Sequence, residues 1–273
     1  MVDMRPMTTS PDGLPLAATG RTAQSMALEA AQYAGKIHLR HFRGDHLGAR
    51  EKRHADVVTD VDVAIEQELR QLLMREFPFA GFLGEETGET EGDSDYTWTV
   101  DPIDGTANFV RGIPHFATTI ALLKSGVPVL GITYDAIRND TFYAVAGRGL
   151  TLNGLLMKPN YARSIGEANL GFDIGPEEDL NVRAFGIIQS LLPMYRVRLM
   201  GSGALGFAYA AAGLIDVYFH LALKPWDVAA GLLFIRETAA DADSIDFDGA
   251  PATPWSGNYL VGAHGLLERV RTA

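Results

Sequence analysis

The sequence predicts an α+β fold in its first half and an α/β fold in its second half. Three observations carry this prediction. Residues 22–42 and residues 62–73 show the apolar spacing of amphipathic helices. Between residues 96 and 145, short stretches rich in branched and aromatic residues alternate with turn signals, which is typical of a strand meander. From residue 169 onwards, predicted strands and helices follow one another, which favours a sheet covered by helices.

Length and composition set limits on the class of protein. The chain has 273 residues, 47% of them hydrophobic, which allows one large domain or two modest ones. No apolar run reaches the ~20 residues of a membrane span. Residues 1–21 lack the continuous apolar segment of a signal peptide and predict a flexible tail. We therefore expect a cytoplasmic protein without a membrane partner.

The charge and the absence of cysteine exclude several functions. With no cysteines, the chain has no disulfide, no thiolate nucleophile and no cysteine-ligated zinc. A net charge of −11 argues against nucleic acid or an anionic membrane as a partner. The same charge would repel a phosphorylated substrate, unless bound divalent cations neutralised it locally.

The first predicted helix repeats apolar residues every three or four positions and ends at Arg43-Gly44. His38 and His41 share one face of this helix, and we expect them to cover its polar side. The seven histidines show no spacing typical of a zinc site. A charged segment follows at residues 50–54; it lacks an apolar anchor and predicts a mobile loop.

Two acidic motifs follow. Thr59 and Asp62 form a capping arrangement at the start of the second helix, with a hydroxyl at the N-cap and an acid three residues on. A strand at Phe82 then leads into Gly84-Glu85-Glu86. Because adjacent side chains of an extended segment point to opposite sides, at most one of these acids is expected to serve a shared site. Residues 87–95, with four acids, predict a solvated loop.

The most informative stretch begins where the strand at residues 96–100 meets Pro102. Proline cannot continue a sheet ladder, so the strand is expected to end at Asp101, and Asp104-Gly105 turns the chain again. Two carboxylates on such a bend can point at one spot, where a cation would relieve their repulsion. Oxygen-only ligation selects a hard ion such as Mg²⁺. The alternative is two consecutive turns, with Asp104 or Thr106 capping a helix.

The next residues predict three strands of a meander, at residues 116–124, 129–134 and 141–145. Asn153-Gly154 is a strong tight-turn signal. We place a boundary between two subdomains here. Residues 22–150 would form an α+β subdomain and residues 151–273 an α/β subdomain.

The second half predicts alternating strands and helices, at residues 169–172, 180–192, 195–200, 204–212, 215–219, 226–238, 259–261 and 266–270. Gly201–Gly206 matches G-x-G-x-x-G between a strand and a helix, which raises a nucleotide-binding oxidoreductase as an alternative. That fingerprint needs an acid at the end of the next strand, ~20 residues on. Asp216 opens that strand instead, and Asp227 lies beyond it. Close packing of helix against strand is the favoured interpretation.

Asp227 follows Lys224-Pro225-Trp226 at the start of a predicted helix. Taken alone, it is an N-terminal acid stabilised by the helix dipole, which also keeps it ionised and suited to metal ligation. No G-x-S-x-G elbow and no Walker loop is present, so a serine hydrolase and a Walker-type kinase are unsupported.

The nine residues 101–109, Asp-Pro-Ile-Asp-Gly-Thr-Ala-Asn-Phe, resemble the signature of the inositol monophosphatase family of Mg²⁺-dependent, lithium-sensitive phosphatases. The resemblance extends to residues 84–86 and 223–231, in the family's order and spacing, and covers the chain from about residue 22 onwards. It implies a layered αβαβα sandwich, a homodimer and a small phosphorylated substrate. With these motifs together, metal ligation becomes the favoured role of Asp227.

The resemblance implies two Mg²⁺ ions. Glu85, Asp101 and the Ile103 carbonyl would hold the metal that activates the attacking water. Asp101, Asp104 and Asp227 would hold the metal that stabilises the leaving group. A third, weaker site would lie near Glu85. The intact acids argue against the remaining alternative, a non-catalytic protein with a degenerate site.

Further residue roles come from the same resemblance. Glu85 and Thr106 would orient and deprotonate the water, with Asp62 hydrogen-bonded to Thr106. Lys52 is a candidate for the lysine of the family's catalytic loop. Substrate contacts would come from both halves of the chain: Asp104, Gly105, Thr106, Gly201, Ser202, Gly203, His220 and Asp227.

The identity of the substrate depends on His220. Inositol-acting members normally carry glutamate at this position, seven residues before the Trp-Asp aspartate. A neutral histidine offers one acceptor and a protonated one offers none. We therefore expect a substrate other than inositol 1-phosphate, such as another sugar phosphate, fructose 1,6-bisphosphate, histidinol phosphate or a nucleotide phosphate, and an affinity that changes near pH ~6.5. Alternatively, His220 ends an edge strand and faces water.

Overall fold

The computed structural model describes residues 8–44, 47–53, 56–194, 196–238 and 241–273. The sequence predictions for residues 1–7, His54 and Tyr195 lie outside the described residues. The described part of the chain forms helices packed against two large sheets and one hairpin. None of its helices is both long and apolar enough to cross a bilayer.

The helices of the described residues are α1 Ala23–His41, α2 Asp60–Glu76, α3 Thr106–Arg111, α4 Glu178–Ser190, α5 Gly203–Ala211, α6 Pro225–Glu237 and α7 His264–Arg271. Local sequence explains where several begin. Thr22 caps α1 by accepting from the Ser25 N–H. Thr59 and Asp62 form the predicted capping box at the start of α2.

The charged segment at residues 50–53 is strand β1 Arg50–Arg53, not the expected mobile loop. It pairs antiparallel with β2 Asp56–Val58. The apolar anchor that this segment lacks lies on the partner strand, where Val58 is buried. This hairpin brings Lys52 next to Glu85 and Glu86.

The first sheet contains eight strands in the order β10-β9-β8-β7-β6-β5-β3-β4. Their bounds are β3 Gly81–Gly84, β4 Gly88–Thr90, β5 Tyr96–Asp104, β6 Ala117–Lys124, β7 Val127–Asp135, β8 Asp140–Val145, β9 Leu150–Leu152 and β10 Leu155–Leu156. The predicted meander is confirmed as β6–β8. Strand β4 lies inside the predicted solvated loop at residues 87–95, because its backbone pairs with β3 although its side chains are polar.

The second sheet contains five strands in the order β12-β11-β13-β15-β14. Their bounds are β11 Asn169–Asp173, β12 Arg196–Arg198, β13 Val217–Leu221, β14 Ala242–Ile245 and β15 Asn258–Ala263. Strand β11 runs parallel to both β12 and β13, while β15 runs antiparallel to β13 and β14. Strand β13 is therefore central, and His220 does not lie on an edge.

The layers follow from which faces are apolar. Helices α1 and α2 cover one face of the first sheet, where Trp98 is buried. Helices α5 and α6 fill the space between the two sheets, with Phe142 from the first and Tyr259 from the second. Helices α4 and α7 cover the outer face of the second sheet around Phe219. The predicted αβαβα sandwich is confirmed.

Strand β5 does not end at Asp101 as expected. It continues through Pro102 to Asp104, with a bulge: Asp101 pairs with Thr119, and Asp104 pairs with Ala117. A bulge bends a strand and redirects its side chains. Pro102 lies in the bulge, where it has no partner in the register of β6 and its missing N–H breaks no ladder contact. Both aspartates lie at the carboxyl end of β5.

His38 is wholly buried on α1, so the expectation that it covers a polar face was wrong. It lies beneath the bulge of β5, where its Nε2 is 2.9 Å from the Pro102 carbonyl oxygen. His41 is partly exposed, as the helix periodicity alone would allow.

Leu14 and Ala17 pack in the core of the first sheet, so part of the expected tail makes core contacts. The first sheet includes residues up to Leu156, and the second begins at Asn169. The division of the chain at residue 150 stays a prediction.

Candidate active site

A cleft of about 410 Å³ opens between the two halves of the sandwich. The ends of β3 and β5, the N-termini of α5 and α6, and the β1–β2 hairpin surround it. Most of the predicted site residues line it: Lys52, Glu85, Asp101, Ile103, Asp104, Gly105, Thr106, Gly201, Ser202, Gly203, His220 and Asp227. Asp62 lies behind this lining, beneath Thr106.

The bulge of β5 and the first turn of α6 bring three carboxylates together. Asp101, Asp104 and Asp227 each offer an oxygen, and these oxygens lie within 4.8 Å of one another. Asp101 is held by the Ile103 N–H, which donates to its Oδ1 at 2.9 Å. Asp227 accepts from the Lys224 N–H at 2.8 Å and sits at the positive end of α6.

Asp104 is held by the start of α5. Its carboxylate accepts from the Ser202 hydroxyl, from the Gly203 N–H at 3.2 Å and from the Ala204 N–H at 3.0 Å. The first N–H groups of this helix are therefore already paired with a protein carboxylate. That arrangement does not fit the pyrophosphate site of the oxidoreductase alternative, which needs those donors.

The glycine pattern that suggested a nucleotide site has a packing explanation. Gly201 has a left-handed φ of 78°, which favours glycine. A Cβ on Gly206 would lie 2.4 Å from the ring of Tyr218. Close approach of α5 to β13 therefore requires glycine at position 206, as the favoured sequence interpretation held.

Glu85 and Glu86 both contact the ammonium group of Lys52. Lys52 Nζ lies 3.0 Å from Glu85 Oε1 and 2.5 Å from Glu86 Oε1. Residues 85–87 form a turn after β3, not the expected extended segment, so both side chains contact Lys52. Glu85 lines the cleft, and the expectation that at most one of the two acids serves the site stays a prediction. The same contacts place Lys52 in the cleft, within reach of the site.

Asp62 and Thr106 make the contact that the resemblance implied. Thr106 Oγ1 lies 2.9 Å from Asp62 Oδ1 and 2.8 Å from the Ile103 carbonyl oxygen. The Thr59 N–H and hydroxyl donate to the other carboxylate oxygen of Asp62. One carboxylate thus both caps α2 and accepts from Thr106.

Burial and mutual repulsion disfavour the charged form of these acids. Burial, followed by the nearby Glu85 and Asp104 charges, raises the pKa of Asp101 well above its usual value. Burial and then the Asp227 charge raise the pKa of Asp104 to about 7. Burial also raises the pKa of Glu85 to about 8, against the opposing effect of Lys52. An all-oxygen donor set with this much uncompensated charge fits a hard divalent cation.

His220 lines the cleft from the buried strand β13, which excludes the water-facing alternative. Its Nδ1 lies 3.0 Å from the Leu221 carbonyl oxygen, so Nδ1 carries the hydrogen and Nε2 the lone pair. Burial lowers the pKa of His220 to about 4. The prediction that titration of His220 changes substrate affinity near pH ~6.5 was therefore wrong.

The structure adds a role for Asp173, which no sequence motif marked, and for Asn108, which lies in the motif at residues 101–109 without a predicted role. Asp173, at the end of β11, accepts from the Met200 N–H at 2.7 Å and the Gly201 N–H at 2.6 Å. Asn108 Nδ2 donates to the carbonyl oxygens of the same loop, at 2.7 Å for Met200 and 3.2 Å for Gly201. The loop before α5 is thus held from both halves of the chain. An acid at the carboxyl end of a strand was the one signal that pointed to Asp173.

Comparison with known proteins agrees with this geometry. "Nus factor SuhB" of Pasteurella multocida is 35% identical over 251 residues, which cover 90% of this chain and 93% of that protein. The structure of the extragenic suppressor protein SuhB from Bartonella henselae has a TM-score of 0.85 at 29% identity, covering 91% of this chain and 96% of that one. An inositol monophosphatase from Anabaena (Nostoc) has a TM-score of 0.79 at 29% identity, covering 91% and 93%.

The sequence pattern that defines the inositol monophosphatase family matches residues 21–272, which is nearly the whole chain. The motifs at Glu85, at residues 101–109 and at Asp227 lie inside that match. The chain belongs to the inositol monophosphatase family.

Proposed function

We propose that this protein is a Mg²⁺-dependent phosphatase that hydrolyses a small phosphate monoester. One observation carries the proposal: the oxygens of Asp101, Asp104 and Asp227 converge within 4.8 Å in a cleft open to solvent. Family membership supports a phosphatase, and the acidic cluster supports a metal-dependent one. The net charge of −11 makes cations at the site a requirement for an anionic substrate.

Five residues would supply the oxygen ligands of the metal ions. Asp101, Asp104 and Asp227 would share one Mg²⁺, and Glu85 would join Asp101 and the Ile103 carbonyl around another, with a third and weaker site near Glu85. Bound Mg²⁺ supplies neutralising charge for the phosphoryl group and acidifies water in the cleft.

The chain's own residues would position and deprotonate the attacking water. Thr106 has a single hydroxyl hydrogen, which goes to Asp62 or to the Ile103 carbonyl. Its lone pairs are then left to accept a hydrogen bond from water, which aims that water at phosphorus. Glu85, which lines the cleft together with Asp101 and Thr106, would take up the proton.

The substrate side of the cleft favours a ligand with hydroxyl donors. His220, whose neutral ring carries its lone pair on Nε2, lines the cleft at the position where inositol-acting relatives are expected to present a carboxylate. One neutral acceptor pairs fewer hydroxyls than a carboxylate does. We therefore infer that inositol 1-phosphate is a poor substrate and that another sugar phosphate, a bisphosphate, histidinol phosphate or a nucleotide phosphate is preferred.

We further propose a cytoplasmic homodimer that binds neither nucleic acid nor membranes. Helix α4, the edge strand β12 and the residues that follow each of them expose large apolar side chains: Val182, Phe185, Leu192, Val197 and Leu199. Such residues on a sheet edge are typical of a surface that another chain covers. Light scattering on the purified protein would test this, and a mass of one chain, 29.5 kDa, would contradict it.

A panel assay tests the proposed activity. Phosphate release is measured from inositol 1-phosphate, fructose 1,6-bisphosphate, histidinol phosphate and a nucleoside monophosphate, with Mg²⁺ and then with EDTA. We expect Mg²⁺-dependent release from at least one substrate, and inhibition by millimolar Li⁺, as the family resemblance implies. If none of the monoesters releases phosphate, the phosphatase proposal is wrong. The name of the curated relatives, Nus factor, makes this outcome worth testing for.

A further inference from the structure

The bulge of β5 leaves a carbonyl without a partner in the sheet. Neither Pro102 nor Ile103 has a partner in the register of β6. The Pro102 carbonyl oxygen is instead contacted by two side chains from other elements: His38 Nε2 of α1 at 2.9 Å and Thr118 Oγ1 of β6 at 2.9 Å. Because buried carbonyls need donors, these contacts satisfy the bulge.

The geometry fixes which nitrogen of His38 carries the hydrogen. A carbonyl oxygen only accepts, so Nε2 must donate to it. Burial lowers the pKa of His38 to about 4, so the ring is neutral and Nδ1 has a lone pair. The ring is held in one orientation by Phe109 and Phe116, at centroid distances of 6.0 and 5.4 Å.

A histidine is an unfavourable choice here on packing grounds alone. Among the described residues, His38 Nδ1 is buried and has no hydrogen-bond partner. Burying an unpaired polar atom is destabilising, whereas an apolar side chain of similar size would fill the same space without that penalty. The donor at Nε2 is the property that an apolar residue would lack.

The contact reaches the acidic cluster through one rigid peptide unit. The Pro102 carbonyl and the Ile103 N–H belong to the same planar peptide, so fixing the first orients the second. The Ile103 N–H donates to Asp101 Oδ1 at 2.9 Å. His38 is therefore connected to Asp101 through one hydrogen bond, one peptide plane and one further hydrogen bond.

We propose that His38, together with Thr118, is a positioning residue that sets the orientation of the Asp101 carboxylate. Helix α1 thereby becomes part of the metal site although it contributes no residue to the cleft. This inference rests on the proposed function only in assigning Mg²⁺ to Asp101. The positioning itself is a property of the metal-free protein.

The test combines two readouts that do not require turnover. Mg²⁺ alone is titrated into the protein by calorimetry, and hydrogen exchange of the Ile103 amide is followed by NMR in EDTA. His38→Leu removes the donor and keeps an apolar side chain. We expect its Mg²⁺ dissociation constant to rise about tenfold or more, and the Ile103 amide to exchange at least about tenfold faster.

Two variants make the result specific. His38→Gln keeps an N–H donor, and we expect it to restore both readouts to within about threefold of wild type. Met26→Ala creates a cavity on the same buried face of α1, twelve positions from His38 and about 18 Å away along the helix. We expect it to lower the melting temperature and to leave Mg²⁺ affinity and Ile103 exchange unchanged.

The outcomes separate this inference from the proposed function. If His38→Leu matches wild type in both readouts, or if His38→Gln is no better than His38→Leu, the positioning role is wrong. If wild type binds no Mg²⁺, the proposed function fails, while Ile103 exchange still reports on His38. Should His38→Leu not fold, Thr118→Val removes the second donor, and wild-type exchange at Ile103 in that variant would overturn the inference.

Discussion

Asp104 combines two demands in one carboxylate. It accepts hydrogen bonds from the start of α5, and it lies with Asp101 and Asp227 in the acidic cluster. Burial and the Asp227 charge raise its pKa to about 7, so the metal-free protein holds this acid partly protonated near neutral pH. Asp104 therefore connects β5 to α5 through hydrogen bonds and is also a candidate metal ligand.

Asp104→Asn should separate these two roles. Asparagine keeps the size and one acceptor oxygen, so we expect the fold to persist, as judged by circular dichroism and melting. Loss of one anionic ligand should reduce kcat at saturating Mg²⁺ on the order of 10³ or more, because the metal contribution is worth several kcal/mol. Turnover close to wild type would show that Asp104 does not ligate metal.

His220→Glu should shift substrate choice towards inositol 1-phosphate. The change adds a carboxylate where His220 now lines the cleft, and each unmatched hydroxyl can be worth a few kcal/mol. We expect kcat/KM for inositol 1-phosphate to rise at least about tenfold relative to the best substrate of wild type. His220→Gln, which keeps a neutral acceptor, is the matched control.

An unchanged ratio of the two kcat/KM values in His220→Glu would show that His220 does not govern specificity. The wild-type protein supplies a further check. Because burial lowers the pKa of His220 to about 4, its substrate affinity should show no His220-dependent inflection between about pH 5.5 and 8.

At the scale of elements, α5 is the piece that joins the two sheets. Its first turn binds Asp104 of β5, while Gly206 packs against Tyr218 of β13. Tyr218 in turn donates to Asp173, which holds the loop before α5. The position of the acidic cluster therefore depends on how closely this helix approaches the second sheet.

Gly206→Ala tests that approach, with Gly186→Ala as its pair. A Cβ at position 206 would lie 2.4 Å from the fully buried Tyr218 ring, so we expect destabilisation of about 1–3 kcal/mol and reduced Mg²⁺ affinity. Gly186 lies in α4 with nothing within 4 Å of its added Cβ, so the same substitution should stabilise by roughly 0.5–1 kcal/mol. Urea unfolding measures both, and equal effects would contradict the packing argument.

How far the sequence predicts the site depends on the range of the interactions involved. Local patterns identified the capping box of Thr59, the helix start at Asp227 and the motif at residues 101–109, because each is set by its neighbours. Proline's local rule predicted the end of β5 and failed. Its carbonyl, which lacks a partner in the register of β6, accepts from His38, 64 positions away in the sequence.

The same distinction explains the residues that were missed. Asp173 acts on Gly201 across 28 positions of sequence, and no local pattern marks that contact. Strand β4 was missed since its polar side chains resemble a loop, and only its pairing with β3 makes it a strand. Long-range pairing decides such elements, and a single sequence does not contain it.

At the scale of the whole molecule, an acidic protein brings several of its acids together in one cleft. Lys52 faces Glu85 and Glu86 there, while burial and like charges raise the pKa values of Glu85, Asp101 and Asp104. Folding therefore brings acidic groups together where a cation is expected. We expect the stability of the metal-free protein to depend on pH for this reason.

The sign of that consequence follows from linkage. Asp104 and Glu85 have higher pKa values in the folded protein, about 7 and about 8, than their ordinary values of 3.8 and 4.5. The folded state thus binds more protons over this range. The stabilisation from these acids is fully present below about pH 4 and is lost as pH rises through about 7 to 8.

We therefore expect the melting temperature in EDTA to fall between about pH 5 and pH 8, and Mg²⁺ to raise it more at pH 8 than at pH 5, because the cation competes with protons for the same oxygens. The net charge of −11 gives a fall of the same sign through general repulsion. Asp104→Asn separates the two causes: it barely changes the general charge but removes one titrating acid, so its melting temperature in EDTA should fall less steeply with pH. The hypothesis would be wrong if the melting temperature of Asp104→Asn fell with pH as steeply as that of wild type, or if the effect of Mg²⁺ did not depend on pH. The cleft acids would then not cause the pH dependence of stability.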